Sequence, residues 1–188
     1  MNIASEIKRR KKVILDRGTD IERWQNAQQL ESAWERRAIL AAKLISENTT
    51  VLDIGCGQML LERHLPSGCN YRPADLVPRD DRTFVINLNC NDIPPERLSD
   101  ADLVVMLGVL EYIYEPGRIF SYIACADKSI LCSYCPIDVP ESIDRRALGW
   151  VNDFTQREFL ELAASYGYNA IFIQSVDSLQ YLFHFVRR

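Results

Sequence analysis

Length, composition and charge describe an ordinary globular chain. It has 188 residues, of which 47% are hydrophobic and 26% are charged, a balance that excludes disorder, collagen and coiled coil. The length suits one domain, or a small domain with a short extension. The net charge of −4 argues against a domain built mainly to grip nucleic acid. No apolar run approaches the roughly 18 residues that span a bilayer, and no secretory signal is seen, so we expect a cytoplasmic protein without membrane insertion.

The first part of the chain is predicted to be helical. Residues 3–17 and 20–46 are rich in strong helix formers, and Gly18 separates the two segments. The basic run at 8–12 is able to bind an anion, but a solvated helix face is the favoured interpretation, because the run is short and acidic residues flank it. We predict that residues 1–46 form a helical cap on a main domain of residues 47–188.

Strands and helices alternate after residue 50. Strands are predicted at 50–54, 70–76, 83–88, 101–107, 128–135, 169–174 and 180–186. Helices are predicted at 58–65, 94–99, 116–125 and 155–166, the last with a capping box. Such alternation implies an α/β fold with a parallel sheet covered on both faces. The last two strands have no room for a helix between them and must form an antiparallel hairpin. The predicted fold is a three-layer, doubly wound, mostly parallel seven-stranded sheet.

The six cysteines are interpreted as reduced thiols in or near the core. Cys132 and Cys135 have the spacing of a redox or zinc half-site, but the sequence holds no second such pair. Both histidines lie far away in sequence. We therefore expect no metal site.

A glycine-rich loop and a distant acid indicate a nucleoside pocket. The segment 53–57, Asp-Ile-Gly-Cys-Gly, directly follows the first predicted strand, where glycines let a ligand approach the backbone closely. The second strand ends at Asp75, which stands 22 residues after Asp53 (75 − 53). An acid at about this spacing is placed to accept the two hydroxyls of a ribose. The pocket would lie beyond the carboxyl ends of the strands, where α/β sheets bind ligands.

The details of the loop weigh against a dinucleotide. A dinucleotide site favours a third glycine at position 60, where this chain has Leu60. Asp53 would repel a pyrophosphate but suits a ligand with an ammonium group. The final hairpin also fits poorly with a dinucleotide fold. A nicotinamide-dependent enzyme therefore stays open only as an alternative.

These segments together resemble the Rossmann-like, class I S-adenosylmethionine-dependent methyltransferases. The resemblance rests on Val51-Leu-Asp-Ile-Gly-Cys-Gly57, on Asp75, and on segments 89–94 and 107–113, Asn-Cys-Asn-Asp-Ile-Pro and Leu-Gly-Val-Leu-Glu-Tyr-Ile. It continues through Phe154-Thr155 to the terminal hairpin and covers roughly residues 34–188.

The resemblance implies roles for particular residues. Gly55 and Gly57 would line the methionine part of the cofactor, Asp53 would orient its ammonium group, and Asp75 would hold the ribose. Leu76 would cover the adenine. The complete set implied for S-adenosyl-L-methionine is Asp53, Gly55, Cys56, Gly57, Asp75, Leu76, Asn89, Cys90, Asn91, Leu107 and Gly108.

The chain departs from the family pattern at three places. Asn89 replaces the acid expected for the adenine amino group, and Met59 stands where many members have a glycine. The glycine pair expected before the fifth strand is missing, since residues 125–128 read Cys-Ala-Asp-Lys.

The methyl acceptor is less clearly indicated than the cofactor. The N-terminal helices, with Trp24, Trp34, Arg36 and Arg37, are expected to cover the pocket. Candidates on the acceptor side are Trp34, Glu111, Tyr112, Tyr134 and Asp138. A hydroxyl acceptor would need a base, and Glu111, Asp138, Asp153 and His184 are candidates, none of which is assigned.

The expected function is methylation of a small molecule, a sugar or a glycan precursor, by a monomer or a homodimer. No basic stripe with interleaved aromatic residues supports a nucleic-acid acceptor. A methyltransferase-shaped module that binds the cofactor without catalysis remains the second alternative.

Overall fold

The computed structural model describes residues 3–26, 34–139 and 143–188. Its helices are α1 Ile3–Leu15, α2 Ile21–Gln25, α3 Glu35–Ala42, α4 Pro95–Ser99, α5 Pro116–Cys125 and α6 Gln156–Ser165. Its strands are β1 Thr50–Ile54, β2 Asn70–Asp75, β3 Phe84–Val85, β4 Leu103–Leu107, β5 Ser129–Tyr134, β6 Tyr168–Ser175 and β7 Tyr181–Arg187.

The strands form one sheet in the order β3-β2-β1-β4-β5-β7-β6. Strands β1 to β5 are parallel, and β7 runs antiparallel to both β5 and β6. The predicted seven-stranded sheet with its terminal hairpin is confirmed. The order reverses direction at β1 and β4, so the crevice beyond their carboxyl ends is the expected place for a ligand.

Side chains from successive residues of the central strands enter two separate cores. Leu52, Ile54 and Val104 belong to the core on one face, whereas Val51 and Val105 belong to the core on the other. This alternation follows from the two-residue period of a strand. Burial on both faces explains why β1 and β4 are nearly continuously apolar, as parallel strands in α/β proteins are.

The helices differ in how firmly they join these cores. In α5 and α6, Phe120 and Phe159 are fully buried, and α3 buries Ala38, Ala41 and Ala42 on the opposite face. The predicted capping box starts α6. By contrast, α1 and α2 bury no residue among those described. The boundary at residue 46 between a cap and a main domain stays a prediction.

Three predicted elements were wrong in extent. The helix expected at 20–46 is broken, because α2 ends at Gln25 and α3 begins at Glu35; residues 27–33 lie outside the described residues. The helix expected at 58–65 is reduced to a 3-10 turn at Glu62–His64, since Met59 adopts a positive φ of 55°. The strand expected at 83–88 stops at Val85, where the chain turns toward the site.

The cysteines of β5 and its end are buried free thiols. Burial raises the pKa values of Cys132 and Cys135 above the ordinary range, so both stay protonated. No helix in the described part of the chain is long and apolar enough to cross a membrane.

Candidate functional site

A cavity of about 410 Å³ opens beyond the carboxyl ends of β1, β2 and β4. Two sets of residues form its walls. The strand wall consists of Gly55, Gly57, Asp75, Leu76, Leu107 and Gly108, which follow or end these strands. The cap wall consists of residues from α1, α2 and the segment 148–151, namely Arg10, Val13, Ile14, Arg23, Trp24, Leu148, Gly149, Trp150 and Val151.

The glycine loop of the strand wall is tied to the neighbouring strand. The backbone N–H groups of Gly55 and Cys56 both donate to the Ala74 carbonyl, at 2.7 and 3.1 Å. A Cβ on Gly55 would lie 2.3 Å from Cγ2 of Val109, whereas Gly57 lines the cavity. Both glycines have positive φ values, 78° and 53°. Gly55 is therefore required by packing, and Gly57 by its backbone conformation at the cavity lining.

Asp75 lies on the floor of the cavity with both oxygens engaged. Its Oδ2 accepts the Gly57 N–H at 2.8 Å, and its Oδ1 accepts the Leu76 N–H at 2.7 Å. Arg79 Nη2 also donates to Oδ1, at 3.1 Å, and Arg79 Nη1 donates to the Trp24 carbonyl at 2.9 Å. Arg79 thus links the acid expected to hold a ribose to α2 of the cap wall.

Asp53 is placed deeper than the resemblance implied. It is 3% exposed, is not among the described residues lining the cavity, and accepts the Tyr71 hydroxyl at 2.7 Å. Burial raises the pKa of Asp53 to about 7, and the Tyr71 hydrogen bond opposes that rise.

Asn89 lines the cavity, but its side-chain amide is committed to protein partners. Its Nδ2 donates to Thr19 Oγ1 at 3.1 Å and to the Tyr112 carbonyl at 3.0 Å, and its Oδ1 accepts the Tyr114 N–H at 3.0 Å. These bonds join the start of α2 to the turn after β4. The neighbouring Cys90 and Asn91 are exposed, and neither they nor the buried Cys56 are among the described residues of the lining.

The acceptor-side candidates divide into two groups. Trp34, Glu111 and Tyr112 line the cavity. Tyr134 does not: it is fully buried, stacks on Phe159 at 4.5 Å and donates to Asn152 Oδ1 at 2.6 Å. Sequence reasoning misplaced Tyr134 because a strand-end tyrosine can face either a core or a crevice.

The charged candidates outside the lining have structural partners or lie in the sheet. Asp138 accepts the Gln156 N–H at 2.9 Å at the start of α6. Asp153 pairs with Arg145 and Arg146 at 2.9 and 2.5 Å. His184 is half-buried in β7, and burial lowers its pKa. Of the four candidate bases, only Glu111 is among the described lining residues.

The buried Glu111 and the partly buried Arg37 carry opposite charges at the cavity, with no ion pair within 4.0 Å between them among the described residues. Glu111 is 1% exposed; its Oε1 accepts the Cys135 N–H at 3.0 Å, and its Oε2 has no hydrogen-bond partner among the described residues. Burial raises the Glu111 pKa, and the positive charge of Arg37 opposes the rise. Arg37 donates to Gln180 Oε1 at 3.0 Å, and a Cβ on Gly108 would lie 2.5 Å from its Nη1.

Several lining residues were missed by sequence reasoning. They are Arg10, Arg23, Arg79, Trp150 and Gln180. None belongs to a recognisable motif. Arg10 lies in the basic run that was interpreted as a solvated face, and that interpretation was wrong for this side chain. The available signal was the excess of arginine and tryptophan before residue 40, which an exposed helix does not require.

Comparisons with known proteins identify the fold. Neither a protein-family model nor a curated protein sequence matches the chain. Among solved structures it is similar to a Burkholderia thailandensis 1,6-didemethyltoxoflavin N1-methyltransferase with bound S-adenosylhomocysteine. The TM-score is 0.64 at 19% identity, over 84% of this chain and 79% of that chain.

Two further similar structures also contain this cofactor or its product. Human N-acetylserotonin methyltransferase in complex with S-adenosylmethionine has a TM-score of 0.63 at 16% identity, covering 88% of this chain and 56% of that chain. CalO1, a calicheamicin biosynthesis methyltransferase with S-adenosylhomocysteine, has a TM-score of 0.59 at 18% identity, covering 85% and 56%. The chain spans little more than half the length of these two. With its strand order and its terminal hairpin, this chain has the Rossmann-like fold of the class I S-adenosylmethionine-dependent methyltransferases.

Proposed function

We propose that the protein is an S-adenosylmethionine-dependent methyltransferase acting on a small molecule, a sugar or a glycan precursor. The observation that carries the proposal is one cavity with two unlike walls. The strand wall has a glycine loop and a carboxylate, and the cap wall has aromatic and cationic side chains. A single space that adjoins both walls suits a reaction between two ligands.

The strand wall fits the cofactor. Gly57 lines the cavity without a side chain that would project into it, and its backbone N–H donates to Oδ2 of the neighbouring Asp75. Asp75 would hold the ribose once Arg79 releases Oδ1. Leu76 would cover the adenine, and Leu107 and Gly108 would lie below the sulfonium. When bound, the cofactor supplies an activated methyl group.

The rest of the chemistry requires little from the chain. Placing the acceptor in line and excluding water supply most of the acceleration expected for a transfer from a good leaving group. The aromatic residues of the cap wall exclude water; the rings of Trp24 and Tyr112 meet edge to face at 5.1 Å. Where the acceptor is a hydroxyl, the unpartnered Oε2 of Glu111 is the oxygen best placed to hold its proton.

Transfer of a labelled methyl group tests the proposal. The purified protein is incubated with methyl-labelled S-adenosylmethionine and small-molecule extracts, and labelled products are separated from the protein. We expect label in at least one small molecule and none with Gly57→Val. Binding of S-adenosylhomocysteine without any labelled product would instead support the non-catalytic module.

A further inference from the structure

Two arginines of the cap wall are held side by side at the cavity. Arg10 Nη1 donates to the Ala147 carbonyl at 3.0 Å, and Arg23 Nη1 donates to the next carbonyl, that of Leu148, at 2.6 Å. Because the two acceptors are successive carbonyls, the two guanidinium groups are neighbours. Both residues line the cavity.

Their proximity is electrostatically unfavourable in the structure as it stands. Burial lowers the pKa of Arg10, and the positive charge of Arg23 lowers it further. Like charges at close range in a partly buried site repel strongly, because the local dielectric is low. A protein keeps such a pair where a negative charge can join it.

The nearby carboxylates already have ion-pair partners, and one of these partners is Arg10 itself. Glu6 lies 3.3 Å from Arg10, and Asp20 forms its ion pair with Arg9. Arg23 has no carboxylate within ion-pair distance among the described residues, and its buried Nε lacks a hydrogen-bond partner. The Arg23 guanidinium thus forms no ion pair among the described residues, and the carboxylate of Asp20 caps its helix.

The Arg23 guanidinium is also fixed in position. It lies over the Trp24 ring at 4.4 Å and near the Tyr112 ring at 5.6 Å. Its Nη1 would be 3.0 Å from a Cβ on Gly149, so a glycine at this position lets the guanidinium lie close to the backbone. A guanidinium held between rings is pre-oriented to donate a charge-assisted hydrogen bond to an oxyanion.

From these contacts we infer that the methyl acceptor carries an oxyanion, a carboxylate or a phosphate, which binds Arg23 with the support of Arg10. Under the proposed function the cofactor's own carboxylate lies over the glycine loop of the strand wall; if Arg23 held that carboxylate instead, its variants would weaken binding of S-adenosylhomocysteine. The inference rests on the proposed function and narrows its acceptor to anionic small molecules with an apolar or aromatic body.

Fractionation by charge tests the acceptor directly. The small-molecule extract is passed over an anion-exchange resin at neutral pH, and each fraction is supplied with methyl-labelled S-adenosylmethionine and the protein. We expect the labelled product to arise from the retained fraction. Labelled product arising only from the unretained fraction would overturn the inference and leave the proposed function intact. Failure of the protein to bind S-adenosylhomocysteine, measured in parallel, would overturn the proposed function itself.

Variants of Arg23 separate its charge from its packing. Arg23→Gln should raise the KM for the retained acceptor at least about 10-fold, which corresponds to about 1.4 kcal/mol, because a charge-assisted hydrogen bond to the acceptor is lost. Arg23→Lys should recover part of that loss. The dissociation constant of S-adenosylhomocysteine should stay unchanged in both. Arg157→Gln, at a side chain 82% exposed on α6, is the matched control. Equal KM values for the Gln and Lys variants would contradict a role for the charge.

Discussion

The two walls of the cavity are built in opposite ways. The strand wall continues directly from β1 and β4, whose Val51, Val104 and Val105 are fully buried. The cap wall stands on α1 and α2, which bury no described residue and are attached by side-chain contacts to carbonyls, such as Arg10 to Ala147. Hydrophobic burial holds the first wall, and polar contacts of modest strength hold the second.

Under the proposed function, the strand wall binds the cofactor and the cap wall selects the acceptor. A wall fixed by the core can hold a ligand in one geometry, whereas a wall with little buried area opens at low free energy. Arg79 joins the two, because it bonds both Asp75 and the Trp24 carbonyl. A ribose that displaced Arg79 from Asp75 would therefore also disturb the hydrogen bond between Arg79 and the Trp24 carbonyl of α2.

The largest expected effect comes from filling the strand wall at Gly57. Gly57→Val should abolish binding of S-adenosylhomocysteine, because the side chain would enter the cavity beside Asp75, and the positive φ of 53° should cost a further roughly 1–3 kcal/mol of stability. A thermal melt measures both: the product should raise the melting temperature of the parent protein only. Stabilisation of the variant equal to that of the parent would show that the ligand does not lie over this loop.

Gly55 provides the matched substitution in the same loop. Gly55→Ala places a Cβ against Val109 and should cost about 1–3 kcal/mol of stability as overpacking, with further strain from the positive φ. Chemical denaturation measures this free energy. If Gly55→Ala were as stable as Gly57→Ala, the packing argument for the strand wall would fail.

Removal of the Asp75 carboxylate is the next largest change. Asp75→Ala should weaken S-adenosylhomocysteine binding at least about 100-fold, because two charge-assisted hydrogen bonds of roughly 1.5–3 kcal/mol each are lost. Isothermal calorimetry gives the affinity, and circular dichroism checks the fold. Asp81→Ala, at an exposed position, is the control. Unchanged affinity would mean that Asp75 serves only the loop and Arg79.

The raised pKa of Asp53 predicts that the stability of the folded protein depends on pH. Its folded-state pKa of about 7 lies above the value near 3.9 of an unfolded chain, so the folded state holds the proton more tightly. The stability that this proton contributes is complete below about pH 4 and is lost as the pH rises toward about 7, on the order of 4 kcal/mol in all. Relative to Asp53→Asn, the parent should lose stability from pH 5 to 8. A constant difference between the two denaturation curves would contradict the raised pKa.

The smallest effect is expected from a single contact of the cap. Lys11 pairs with Asp144 at 2.8 Å, but both side chains are about half exposed, so solvent screens the pair. Lys11→Ala should leave both the melting temperature and the affinity for S-adenosylhomocysteine unchanged within error. A clear loss of affinity would show that the cap wall is more tightly coupled to the strand wall than its contacts indicate.

Prediction from the sequence worked where burial dictates the pattern. The apolar runs of β1 and β4, the capping box of Thr155 and the short 175–179 turn led to the correct sheet with its hairpin. It failed where local backbone conformation decides: a positive φ at Met59 breaks the helix expected there, and the chain leaves the sheet after Val85.

Part of the site could also be predicted from the sequence. Gly55, Gly57 and Asp75 follow strands at informative spacings, and the structure places all three in the lining. Arg23 and Arg79 could not be found in this way, because their roles depend on contacts with residues 125 and 55 positions away in sequence. Such side chains carry no local signal of the partner that they meet.

The central claim is that the strand wall binds S-adenosylmethionine or its product. Calorimetric titration of the parent protein with S-adenosylhomocysteine and, separately, with a reduced nicotinamide dinucleotide tests it most directly. We expect saturable one-to-one binding of S-adenosylhomocysteine and none of the dinucleotide. Binding of the dinucleotide without binding of S-adenosylhomocysteine would contradict the assignment of this cavity.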